Sequence, residues 1–298
     1  MSRVWVVGSV NEDTRLTLAA HVRPGETVTA TSSARQLGGK GLNQAIAARR
    51  AGADTVMVAA VGADDAARSA RDLLAAEGIE TRLFVSDRPT GTAIVAVDDA
   101  GENAIIVVPG ANAAIPEEHV RVNLTGVAPG DIVLLQLELP VDIVRAATAA
   151  ARRAGATVVL NAAPYRPEVT ALLAEVDLLV VNASELAALV PGPDDPAGAA
   201  RRLSTERTLA VLVTLGGDGS VLAGHGTSVH VPACATTVVD TTGAGDTYIG
   251  FLTAALAAGR SPRAAMDAAG AAAALAVSRP GAATSIPNAS EIGIPVAT

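Results

Sequence analysis

Residues 238–252, VVDTTGAGDTYIGFL, set two carboxylates, Asp240 and Asp246, around a glycine turn that runs into an apolar helical pattern. Gly243, Ala244 and Gly245 leave the backbone bare, so a ligand can approach it closely. A helix starting there presents free N–H groups and the positive end of its dipole, which suits an anion. A carboxylate in the same turn suits a general base: Asp246 can orient a hydroxyl and accept its proton as a phosphoryl group transfers. The competing reading is an aspartate that only caps the helix.

A second glycine-rich stretch, QLGGKGLNQAIAARRAGA, places Gly38, Gly39 and Gly41 ahead of a helix that holds Asn43. Those glycines allow close backbone approach, and Lys40 and Asn43 add hydrogen-bonding groups suited to a polyhydroxylated ligand. The stretch is not a phosphate-binding Walker loop, because Lys40 is not followed by Ser or Thr. Neither glycine stretch completes the dinucleotide pattern, since Gln44 and Tyr248 fill its last position. NEDTRL puts Asn11 and Asp13 two residues apart, on one face of the chain just past the first strand. NASE supplies Asn182 and Glu185, which serve equally well as a helix N-cap region. His21, His119, His225 and His230 have no metal-site spacing and read as structural or surface residues.

The elements that must position these residues alternate. RVWVVGSV, TVMVAAVG, DIVLLQLE, TVVLNAAP, DLLVVNASE and LAVLVTLGG are apolar runs suited to parallel strands covered on both faces. Between them LNQAIAARRAGA, DDAARSARDLLAAEG and PVDIVRAATAAARRAGA read as helices closing on glycine. That rhythm predicts an α/β fold, a doubly wound, mostly parallel sheet with helices on both faces, in one domain over 1–298. Its ligand site belongs at the C-terminal ends of the strands, where Asn11, Asp13, Glu138, Asn161, Asn182, Glu185, Thr214 and Gly216 collect. Residues 14–36 and 91–108 break the rhythm with strand-like spacing and are expected to form a small β-sheet projecting from the body.

Composition excludes several classes. The 298 residues carry 22 basic and 30 acidic side chains, a net charge of −8, and aromatics are only 2%. Nucleic acid and anionic membranes are therefore excluded as partners. Cys234 is the only cysteine, and the first residues lack a charged segment followed by an apolar one, so a cytoplasmic protein without disulfides is expected.

GGKGLNQA, GANAAI, LQLE, NASE, VTLGGDG and DTTGAGDTYIGFL, in this order and spacing, resemble the ribokinase-like, PfkB-type carbohydrate kinase superfamily. The similarity runs from VVGSVNED to SRPGAATSIP. It implies ATP-dependent phosphorylation of a sugar hydroxyl, with the small β-sheet as a lid over the sugar and as a homodimer contact. By matching position, Asp246 is the implied base and the backbone of Gly243, Ala244 and Gly245 the implied anion hole. Asn11, Asp13, Gly39, Lys40, Asn43 and Glu138 match sugar contacts. Asn182 and Glu185 match the region holding Mg²⁺ through water, and Thr214, Gly216, Gly219 and Gly245 the nucleotide side. Asp240, Thr242, Ala276, Arg279, Gly281 and Ser285 match loops that hold K⁺, mostly through backbone carbonyls. GGKG favours the branch that phosphorylates ribose; another pentose or hexose, such as deoxyribose or fructose, and a sugar-binding protein without turnover are the alternatives. Two positions depart from the pattern: DTRLTL stands where relatives carry a more apolar strand, and Gly270 where some carry a larger polar residue near the adenine.

Overall fold

The computed structural model describes residues 2–100, 102–224 and 226–293; His225 lies outside them. With elements numbered along the chain, the main sheet contains β1 (Arg3–Val7), β4 (Asp54–Val61), β5 (Glu80–Val85), β8 (Ile132–Gln136), β9 (Thr157–Asn161), β10 (Leu178–Asn182), β11 (Ala210–Thr214), β12 (Ser220–Gly224) and β13 (Thr227–Val231). Their order is β13-β12-β11-β10-β9-β8-β1-β4-β5. All neighbours are parallel except β11–β12 and β12–β13. The six apolar runs are the central strands. β5, β12 and β13 were not among the expected strands.

Each central strand is buried on both sides, so alternate residues feed two separate cores. Trp5 and Val7 join one core, with helices α3 (Glu117–Asn123), α4 (Val141–Ala154), α5 (Ala183–Leu189) and α6 (Pro196–Arg207). Val4 and Val6 join the other, with α1 (Lys40–Arg50), α2 (Asp65–Ala76), α7 (Ala244–Ala257) and α8 (Pro262–Ala276). The helices α1 and α7 meet at Gly250 with no side chain larger than the Ala47 methyl between them. A Cβ built on Gly250 of α7 would lie 2.3 Å from the Ala47 Cβ and 2.8 Å from the Ala48 backbone nitrogen. Backbone therefore packs on backbone, with the first turns of both helices beside one another.

The small sheet is formed by β2 (Asn11–Thr17), β3 (Ser32–Gly38), β6 (Gly91–Val97) and β7 (Asn103–Val108), in the order β3-β2-β6-β7. It begins at Asn11 rather than at 14. Residues 18–31 connect β2 to β3 without strand structure, although the expected turn at Pro24-Gly25 is present, with the Glu26 N–H donating to the Arg23 carbonyl at 3.0 Å. β2 pairs antiparallel with β3 and parallel with β6, which joins the two expected segments into one sheet. β7 is an edge, and Ile105, Ile106, Val107 and Val108 are exposed on it. No helix among the described residues is long and apolar enough to cross a membrane.

Candidate active site

The chain leaves β1 for β4 and β5 on one side and returns to β8 on the other, so the strand order reverses between β1 and β8. Open α/β sheets bind ligands at such a point. There the Glu138 carboxylate, just past β8, accepts hydrogen bonds from the Ser9 hydroxyl past β1 and from the Lys40 backbone N–H at 3.0 Å. Glu138 therefore also satisfies the free N-terminus of α1. Gly38, Gly39 and Gly41 do not open the backbone to a ligand as expected. Built side chains would meet the Asp13 carboxylate at 2.0 Å from Gly38, the Ser9 carbonyl at 3.0 Å from Gly39 and Gly8–Ser9 backbone at 2.5 Å from Gly41. These glycines let the lid, β1 and α1 come together.

Asp246 lies in the first turn of α7 but does not cap it: the cap is Gly243, at φ 75°, with no side-chain bond. The carboxylate is buried and turns toward α1 instead. Its Oδ2 accepts from the Asn43 Nδ2 at 3.0 Å and its Oδ1 from the Gln44 Nε2 at 2.8 Å. Gln44 is wholly buried and belongs to a chain of amides, donating also to Asn161 Oδ1 at 3.1 Å and accepting from Gln136 Nε2 at 2.7 Å. Gln44 and Gln136 were not foreseen. The available signal was a polar residue inside an apolar strand (LLQLE) and a second amide beside Asn43.

The expected anion hole needs one correction. The Ala244 N–H closes a turn onto the Thr241 carbonyl at 3.2 Å, so it is not free. Gly245 and Asp246 occupy the first turn, where helical geometry supplies no acceptor for their N–H groups. Gly245 borders a cavity of about 300 Å³ that also touches Thr214, Gly216, Gly219, Tyr248 and Gly270. A Cβ at Gly270 or Gly245 would meet nothing within 4 Å, so both face open space. The nucleotide-side residues foreseen at Thr214, Gly216, Gly219 and Gly245 thus line one cavity. Asn182 and Glu185 do not line it. They form a reciprocal cap at the start of α5, the Glu185 N–H donating to Asn182 Oδ1 at 2.8 Å and the Asn182 N–H to Glu185 Oε2 at 2.9 Å.

Electrostatics draw these parts together. Burial would lower the pKa of the half-buried Lys40, but Asp246, Glu138, Glu185 and Asp13 more than reverse this and raise it, so the ammonium is kept. Asp13 is pushed up to about 7, first by burial and then by Glu138 and Asp246, with Lys40 opposing. Its buried Oδ1 has no hydrogen-bond partner, an acceptor aimed at nothing in the protein. Burial raises Glu185 as well, against the Asn182 N–H and Lys40. Asn11 is buried and accepts from Asn112 Nδ2 at 2.8 Å.

Asp240 sits apart, at the head of the loop leading into α7. Its Oδ1 accepts from the Thr242 N–H at 2.9 Å and the Thr242 hydroxyl at 2.6 Å; its Oδ2 accepts from the Gly281 N–H at 3.1 Å and Arg15 Nη1 at 2.6 Å. Burial alone would raise its pKa, yet those donors outweigh burial and hold the carboxyl below its ordinary value. Ser285 is fully buried and donates to the Ala282 carbonyl at 2.8 Å. The Ala276 carbonyl accepts from the Arg279 N–H at 3.1 Å, while the Arg279 side chain pairs with Glu291.

The sequence matches the pfkB family of carbohydrate kinases over residues 1–289. The chain belongs to that family. This kinase-family chain is 34% identical over 292 residues to a ribokinase of Haemophilus influenzae, covering 96% of itself and 95% of that protein. Its fold is similar to a ribokinase of Thermotoga maritima, with TM-score 0.90, 32% identity and 98% of each chain covered. It is also similar to an Arabidopsis thaliana ribokinase complexed with ribose and ATP, with TM-score 0.85, 32% identity and 98% of both chains covered. Both match the main sheet flanked by helices together with the separate small sheet.

Proposed function

We propose that this family member transfers the γ-phosphoryl group of ATP to the primary hydroxyl of D-ribose, giving D-ribose 5-phosphate and ADP. The observation that carries the reading is the Asp246 carboxylate, buried at the first turn of α7, next in the chain to Gly245 on the about 300 Å³ cavity and close enough to Asp13 and Lys40 to shift their titration. Asn43 and Gln44 hold both of its oxygens, so its orientation is set before substrate arrives.

In this scheme Asp13, with its unpartnered oxygen, accepts from sugar hydroxyls, the Lys40 ammonium donates to sugar oxygens, and Asn11, Gly39, Asn43 and Glu138 complete the contacts. Asp246 aligns the reacting hydroxyl and takes its proton late in the transfer. The new bond forms between that oxygen and the γ-phosphorus as the bond to the β-phosphate bridge breaks. The N–H groups of Gly245 and Asp246 and the dipole of α7 stabilise charge on the equatorial oxygens, and the ammonium of Lys40 offsets the added negative charge.

Among the described residues no group of three His, Cys, Asp or Glu side chains forms a metal cluster. Mg²⁺ would accordingly arrive with the ATP phosphates, with the Asn182–Glu185 region holding it through water, and it neutralises phosphate charge. The all-oxygen set of Asp240, Thr242, Ala276, Arg279, Gly281 and Ser285 has the chemistry for a hard monovalent cation such as K⁺. The reading further takes the chain as one kinase unit, working in the cytoplasm as a homodimer joined through the exposed edge of the lid sheet.

A coupled ADP-release assay over ribose, 2-deoxyribose and fructose tests the reading. Ribose-dependent turnover with the highest kcat/KM is expected. Preference for another sugar would change the substrate, and sugar binding without turnover would leave a binding protein. Replacing KCl by tetramethylammonium chloride at constant ionic strength should lower kcat severalfold; an unchanged rate would remove the cation.

A further inference from the structure

Arg15 stands in the DTRLTL stretch, within β2. It lies on β2, two residues beyond Asp13 and four beyond Asn11, so all three side chains share one face of the strand. Asn11 and Asp13 use that face beside the sugar residues. Arg15 leaves the lid altogether and pairs with Asp240, 225 residues away, at 2.6 Å.

Of the four donors on the Asp240 carboxylate, three are neutral and come from the loops that Asp240 itself joins, Thr242 twice and Gly281 once. The fourth is the only charged one and the only one from the lid. The carboxylate is 7% exposed and the Arg15 side chain 39%, so the anion is fixed in the body while its cation reaches in from outside. A second lid residue leans on the same place: a side chain built at Gly281 would meet Gln36 Oε1, on β3, at 3.3 Å. Lid and cation loop are therefore in contact at both halves of the loop.

A monovalent cation ligated by the Asp240 carboxylate would have to stand beside the guanidinium on the same small anion. Two positive charges a few ångströms apart in a partly buried site repel strongly. We propose that Arg15 and a monovalent cation are alternative partners of the Asp240 carboxylate, so that filling the cation loop releases the lid at β2 and docking the lid weakens cation binding. The proposal rests on the cation reading given above. Asp240 heads the segment that ends in Gly243, Gly245 and Asp246, so the linkage connects lid position to the phosphoryl site. Arg15 thus acts through Asp240 as a positioning residue.

The test uses the full chain without sugar or nucleotide. K⁺ affinity is taken from the rise in Tm on replacing tetramethylammonium by K⁺ at constant ionic strength, and lid exposure from amide hydrogen exchange across 11–17 and 32–38. Arg15→Gln should tighten K⁺ binding by about tenfold or more, within the usual range for coupled sites. K⁺ should accelerate lid exchange in the wild type and leave it unchanged in Arg15→Gln. Arg15→Lys, which keeps the charge, should stay close to wild type, and Arg15→Met, which removes the charge and keeps an unbranched side chain, stands in if the glutamine variant folds poorly. Arg35→Gln is the control, because it removes a lid charge that faces Glu12 rather than Asp240. Equal K⁺ affinity in wild type and Arg15→Gln overturns the competition while sparing the cation reading. Equal tightening by Arg35→Gln reduces the effect to net charge and overturns it as well. No K⁺ binding by any variant removes the cation reading and the linkage together.

Discussion

Sugar affinity should depend on pH through Asp13. The carboxyl titrates at about 7 because burial, Glu138 and Asp246 disfavour its anion. Sugar hydroxyls donating to the unpartnered Oδ1 favour the anion, so the ionised form is the one that binds. In the free protein the group is about ten-to-one protonated at pH 6 and about one-to-ten at pH 8, so the apparent Kd for ribose should be about tenfold weaker at pH 6, or ~1.4 kcal/mol. Calorimetric titration of ribose without nucleotide measures this directly, free of the pH dependence of transfer. Asp13→Asn should bind more weakly at every pH and lose the slope. The sign for folding is opposite. A carboxyl raised from its ordinary 3.8 to about 7 contributes stability that is fully present below about 3.8 and lost as pH rises from there to about 7, so through this group the ligand-free protein should lose Tm over that window and Asp13→Asn should not. A flat Kd between pH 6 and 8, or the same slope in Asp13→Asn, would refute the placement of Asp13 against the sugar.

Asp246→Asn should lower kcat by the ~10²–10⁴ of a lost general base. Because both carboxylate oxygens accept amide donors, the new NH₂ must also face one of them, at a stability cost of about 1–3 kcal/mol; retention of more than a tenth of wild-type kcat would exclude Asp246 as the base. Gln44→Leu should reduce kcat about tenfold or more, from one lost charge-assisted hydrogen bond, with little change in sugar or ATP KM. A rise in KM without a fall in kcat would make Gln44 structural only. Sedimentation at micromolar concentration should find a dimer that Ile106→Lys, on the exposed lid edge, converts to monomer; a monomeric wild type would refute lid-edge pairing.

The central strands were legible because burial on both faces leaves a continuous apolar run. β5 carries Glu80, Thr81 and Arg82 at one sheet edge, the mostly exposed β13 carries Thr227, Ser228 and His230 at the other, and β12 beside it opens on Ser220 and closes on Gly224, so none leaves such a run. The segments of the lid were visible from alternation, but the parallel pairing of β2 with β6 joins residues some 80 positions apart and has no local signature. Asp246 was legible from its glycine turn, whereas its orientation was not. A carboxylate that caps a helix and one that faces away look alike in sequence, and only the approach of Asn43 and Gln44 separates them. For Asn182 and Glu185 the capping geometry is the one the structure adopts. The Arg15–Asp240 pair joins residues 225 positions apart, and no periodicity reports on it.

The contact of α1 with α7 at Gly250 bears on how this protein can change over evolutionary time. Only the Ala47 methyl and α1 backbone face Gly250 there, so the separation of the two helices does not depend on the rotamer of any longer side chain. The distances from Asp246 to Asn43 and Gln44 inherit that fixity. Substitutions away from this contact can relax locally without moving Asp246 relative to its two holders. The same arrangement makes position 250 intolerant of enlargement: a single added methyl group there would push the two helices apart and shift both ends of the reacting geometry at once. Enlargement is tolerated instead where space is open, as at Gly270 and Gly245 on the cavity wall, where an added Cβ meets nothing within 4 Å.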